Sequence, residues 1–155
     1  MKKLLPLLLL MAPPAFAQSV GDCGHLTTAR NLPEPWQDNT ATYAEGEIRL
    51  AVFDTLEPAA AAMHLMILSP PRNELGERQC RVVSLSPPPE PEGWRAGFMS
   101  LDFAARQVEY DPARGLVVRM PVAVPNPDTG EPDRGELTIE IDQSTGGITA
   151  EVGGT

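Results

Sequence analysis

Along residues 47–54 apolar side chains recur at every second position. Ile48, Leu50 and Val52 point one way, and Glu47, Arg49 and Ala51 point the other. A period of two belongs to a half-buried strand, because successive side chains leave opposite faces of the pleat. After a break at Thr55-Leu56-Glu57-Pro58, residues 59–68 are apolar on both faces: Ala61, Met63, Leu65 and Ile67 on one, Ala62, His64, Met66 and Leu68 on the other. This predicts a second strand, covered on both sides and paired back onto the first. A helix competes for residues 58–68, because alanine, methionine and leucine favour helices and Asp54-x-x-Glu57 fits a capping box. The strand is preferred, since the run is short and its neighbours read as strands. Ser69-Pro70-Pro71 is expected to stop either element.

Further short strands follow. Residues 79–85 form one, with Cys80 at its head, and residues 86–93, with four prolines, form an extended loop. Residues 98–103 alternate, which places Met99, Leu101 and Phe103 inward. Residues 107–110 and 116–124 are next, and Pro121 marks the latter as an edge strand because proline donates no ladder bond. Residues 137–141 and 148–152 complete the set. Residues 108–117 and 139–148 share one order: strand, aspartate, three residues, glycine, strand. Aspartate can bond the turn backbone and glycine supplies positive φ, so both copies predict hairpins. About eight strands predict a single-domain, all-β, antiparallel fold, either a sandwich or a small barrel.

The N-terminus reads as a secretory signal over residues 1–17. Lys2 and Lys3 precede an apolar run, and Ala15-Phe16-Ala17 has the small-x-small form of a cleavage site before Gln18. The run is too short to span a bilayer, and no apolar segment long enough to do so follows it. Residues 18–43 show no clear period and are expected to form a strap, tied by a disulfide and by Trp36 lying on the core. Residues 44–155 are expected to form the β domain.

Removing residues 1–17 removes both lysines, so ten arginines face twenty-one acids, a formal charge of −11. That balance disfavours nucleic acid and anionic lipid as partners, which need clustered cations. It suits a cationic partner. Without lysine no Schiff base can form. Cys23 and Cys80 are the only cysteines. An even count in an exported chain predicts a disulfide joining strap to sheet.

The chain has two histidines, His25 and His64, and no Gly-x-Ser-x-Gly. No phosphate loop, dinucleotide fingerprint or zinc spacing is present, so no enzyme activity is expected. Acids around Asp128 lack the spacing of a calcium loop and read as a solvated turn. Met63-His64-Leu65-Met66 offers imidazole and thioether, donors that suit Cu(I). In a strand His64 and Met66 share a face. His64-Leu65-Met66-Ile67-Leu68, followed by a loop and a strand, resembles the end of the metal motif in periplasmic copper chaperones of the PCuAC type. The resemblance implies copper ligation by His64 and Met66. That family also supplies a histidine or methionine and another methionine upstream, whereas here neither residue occurs between His25 and Met63.

The function expected is therefore a periplasmic or secreted, non-catalytic module without a cofactor. It would bind a protein or small ligand, of unknown identity, through residues the sequence does not single out. Copper handling through His64 and Met66 is one alternative. Inhibition of a cationic hydrolase, by analogy of fold and charge, is another.

Overall fold

The computed structural model describes residues 16–56, 61–86 and 95–154. In chain order the strands among them are β1 (Phe16–Ala17), β2 (Ser19–Asp22), β3 (Thr40–Tyr43), β4 (Ile48–Asp54), β5 (Met63–Arg72), β6 (Arg78–Ser84), β7 (Ser100–Leu101), β8 (Gln107–Asp111), β9 (Gly115–Val124), β10 (Asp133–Ile141) and β11 (Ile148–Gly154). They form two antiparallel sheets. The first is ordered β2-β6-β5-β4-β3 and the second β1-β11-β10-β9-β7, with β8 also on β9. β8 pairs the Gly115–Arg119 stretch of β9 and β7 pairs Val122 and Ala123, so both share one edge and the second sheet is five strands wide.

The sheets face each other across one apolar core. Ile48, Leu50 and Val52 of β4 and Leu65 and Ile67 of β5 come from the first sheet. Val118, Met120 and Val122 of β9 and Leu137, Ile139 and Ile141 of β10 come from the second. Each such side chain, fully buried, is worth about 1.5–3 kcal/mol relative to exposure. The architecture is an all-β sandwich. The expected hairpin is present: β4 pairs β5 from Arg49↔Leu68 to Asp54↔Met63.

Several expectations change in detail. The strap enters the sheet at both ends, as β2 and β3, which are edge strands too short to show a period. β5 runs past Ser69 to Arg72 instead of stopping, because the prolines fall where the register shifts between Ser69 and Arg72 and no regular ladder bond is demanded. β9 is an interior strand. Pro121 is tolerated there because its carbonyl accepts from Asp102 N, at 2.9 Å. The N and O of one strand residue face the same side, so the missing N–H points into the gap between β7 and β8 and not at β10. Met99 is exposed and Phe98 buried. Phe98 pairs with Met63 in the first sheet, whereas Met99 N donates to Ala123 O in the second. The chain changes sheets there, and a period of two does not survive the crossing.

Both aspartate–glycine turns form hairpins, β8–β9 and β10–β11. Gly115 and Gly146 have φ of +84° and +79°. Asp111 Oδ1 accepts from Ala113 N at 2.8 Å, and Asp142 Oδ1 accepts from Ser144 N at 2.9 Å. Backbone and hydroxyl donors stabilise the anions. Those of Ser144 and Thr145 hold Asp142 down to a pKa of about 2.

Cys23 and Cys80 are joined. The strap leaves β2 beside β6 at this bridge. It returns at Asn39, whose carbonyl accepts from Val52 N at 2.9 Å on β4. It therefore spans the first sheet on the side away from the core. On that face Ala51, Phe53, His64 and Val82 are buried although they alternate with inward-facing neighbours, and Gly97 packs against His64 there.

Candidate functional site

Two regions carry chemistry that the core does not use. The first centres on His64, on the covered outer face of the first sheet. The register puts Leu65 opposite Val83, so His64 lies one step along from it, beside Ser84. His64 Nδ1 and Ser84 Oγ share a hydrogen bond of 2.9 Å, and both residues are fully buried. Among the described residues His64 Nε2 has no hydrogen-bond partner. Burial is the main reason that its pKa falls from 6.5 to about 4, assisted by the charge of Arg95 and opposed by that of Asp54. The imidazole is thus neutral at pH 7.

Backbone without side chains makes room for this cluster. A Cβ on Gly97 would lie 2.9 Å from both His64 Cε1 and Ala61 O. A Cβ on Gly21 would lie 2.8 Å from Arg95 Nη2. Arg95 Nη1 is itself buried and has no hydrogen-bond partner among the described residues. Ser84 and His64 resemble the start of a nucleophile–base pair, but a hydroxyl with no exposed surface cannot meet a substrate.

Met66 follows His64 on the same face, half-buried between Ala51 and Val82 in the ladder. For copper, Nε2 is the nitrogen that Ser84 leaves free. Among the described residues no three His, Cys, Asp or Glu side chains gather as a metal site. In the 126–133 turn, Asn126 Oδ1 accepts from Asp128 N and Thr129 N at 2.9 and 3.2 Å. Its amide donates to Asp133.

The second region is the turn at residues 33–40. Trp36 does not lie on the core; it is 54% exposed. The turn holds itself in shape. Asp38 N donates to Pro35 O at 3.1 Å and Asn39 N to Trp36 O at 3.2 Å. Asn39 Nδ2 donates to Pro33 O and Pro35 O, at 3.2 and 3.1 Å, and Thr40 Oγ1 donates to Trp36 O at 3.0 Å. The carbonyls that would draw the loop into solvent are therefore occupied internally. Glu34, Pro35, Trp36 and Gln37 line an open groove of about 480 Å³. Prolines on either side of Glu34 and an asparagine three residues after Trp36 are the local signs of such a turn.

This is an all-β sandwich whose outer sheet face is closed by a disulfide-tied strap. No family model, curated protein or solved structure matches the chain.

Proposed function

We propose that the protein is an exported, non-catalytic β-domain that binds a partner protein, with the Trp36 turn as its contact surface. The observation that carries this reading is a large aromatic side chain held out on an internally hydrogen-bonded turn above a groove. Tryptophan is enriched among the residues that dominate binding energy at interfaces. A turn fixed before binding loses little entropy on association. Export is supported by the N-terminal pattern and the Cys23–Cys80 bridge. Among the described residues no helix is long and apolar enough to cross a membrane. Cleavage after Ala17 would remove β1 and leave Gln18, whose N donates to Ala150 O at 2.9 Å, at the head of β2. The test is capture from periplasmic extract with the mature protein and with Trp36→Ala. A species captured by the first and lost with the second supports the reading, and equal capture by both refutes it.

A second reading, copper handling through His64 and Met66, retains one observation: Nε2 is buried without a partner among the described residues, and a thioether follows on the same face. It requires uptake of one Cu(I) equivalent that both His64→Leu and Met66→Leu abolish. Leucine at Met66 keeps volume while deleting sulfur. Uptake is expected to be absent.

A further inference from the structure

Resting on the assignment of the Trp36 turn as the contact surface, we propose that it receives an arginine side chain of a basic protein. The guanidinium would stack on the Trp36 indole beside the Glu34 carboxylate. Three observations converge on that occupant.

The first is the indole itself. More than half of Trp36 is in solvent; the face of an indole carries the negative side of the ring quadrupole, and tryptophan attracts cations most strongly among the aromatic residues. The planar guanidinium both stacks on such a face and bonds a carboxylate, which an ammonium does less well.

The second is the local charge. Glu34 lines the groove, Asp38 lies two residues beyond Trp36, and both are exposed. No lysine or arginine occurs between Arg30 and Arg49, and neither acid enters an ion pair among the described residues. The outer face of the second sheet differs in this respect. There Glu109, Asp111 and Glu140 are ion-paired with Arg114 and Arg119 at 2.8–3.7 Å. Among the described residues, the carboxylates at the turn therefore have no cation within ion-pair distance. The net charge of −9 for the full chain draws cationic proteins toward it.

The third is shape. The groove is open and, among the described residues, is lined by four residues of one turn. An enclosed small-molecule site gathers walls from several elements. This one suits a side chain laid across it from a partner's surface.

The experiment uses the mature protein and three probes: a short arginine-rich peptide, the same peptide with citrulline replacing arginine, and a neutral chito-oligosaccharide. Citrulline keeps the planar shape and deletes the charge. Binding is read from the Trp36 indole N–H resonance, assigned with Trp36→Phe because Trp94 is the other indole. The arginine peptide is expected to shift that resonance, with affinity falling about tenfold or more for the citrulline peptide and for Trp36→Ala. Glu34→Gln should cost about threefold and flatten the salt dependence. The proposal is overturned if citrulline binds as well as arginine, if the oligosaccharide binds more tightly, or if the arginine peptide leaves the resonance unmoved at millimolar concentration. Should these occur while Trp36→Ala still abolishes capture from extract, the contact surface stands and the cationic occupant falls. If capture survives Trp36→Ala, both fall.

Discussion

His64 lies on the covered outer face of the first sheet and the Trp36 turn belongs to the strap over that face, yet the two regions are built in opposite ways. His64 and Ser84 have no exposed surface, and Gly97 leaves room for the His64 ring as Gly21 does for Arg95. Trp36 is out in solvent, and its turn depends on side-chain hydrogen bonds from Asn39 and Thr40. An imidazole and a hydroxyl are thus sealed from solvent, and a large aromatic side chain is left in it. In this fold, a side chain's access says more about its use than its chemical identity does.

The disulfide links the two regions, and breaking it is the largest perturbation expected. The Cys23–Cys80 bridge closes a separation of 57 residues. The chain-entropy model gives about 4 kcal/mol for a loop of this size. Cys23→Ser combined with Cys80→Ser should lower stability by that order, measured by urea unfolding. Thiol titration of denatured, unreduced wild type should find no free thiol. A double variant as stable as wild type would mean that the strap's own contacts hold the cover in place.

The first effect of acid should fall on the buried region. The folded pKa of His64, about 4, lies below the unfolded value of 6.5. Between those pH values the unfolded chain takes up a proton that the native state refuses, so stability falls as pH drops. The loss is about 3 kcal/mol in all and stops once the folded state is protonated too. Arg95, Asp54 and His25 are the charged or titratable groups that act on the ring. The carboxylates held low, Glu47, Asp111 and Asp142, titrate from reference values of 4.5 or below and add their losses at the acid end. Urea midpoints at pH 7 and pH 5 should therefore differ in wild type and differ much less in His64→Leu. Equal slopes would remove His64 as the source.

Much of this fold was legible in the chain because its strongest signals are local. The alternation in residues 47–54 and the paired aspartate–glycine spacings each need only one segment, and both formed as expected. Where the reading failed, the deciding contact was remote. β2 and β3 exist because β6 and β4 offer them edges. Pro121 is accommodated by a gap left in another strand's neighbours. Met99 turned outward because the chain changes sheets beside it. The candidate sites divide the same way. His64 drew notice by its type, but Ser84 and Arg95 reach it only through the fold. Trp36 was expected to pack inward as large aromatics usually do, and the prolines and Asn39 that hold it out were visible without any sign of which way the indole would face.

Two ways of fixing an exposed turn can also be compared. Gly115 and Gly146 meet a backbone demand for positive φ, and an added Cβ would press on Ile141 O and on Pro71 respectively. Gly115→Val and Gly146→Val should each cost about 1 kcal/mol or more, since a β-branched residue resists that conformation. Unchanged melting in both would mean that the turns tolerate strain as an ordinary surface loop does.

The smallest expected effect on stability is at Trp36, and it is the sharpest test of the contrast. If the indole stabilised the sandwich, its removal would cost several kcal/mol, as truncating a buried tryptophan does, about 3–5 kcal/mol. More than half of its surface is in water, and the hydrogen bonds that fix the turn come from Asn39, Thr40 and the backbone, none from the indole. Trp36→Ala should therefore change the urea midpoint by no more than about 0.5 kcal/mol equivalent, the range of ordinary surface substitutions. Loss of partner capture at unchanged stability would separate binding from folding at this residue. A variant that lost both together would mean that Trp36 serves the strap's packing, and the comparison between a sealed region and a presented one would not hold.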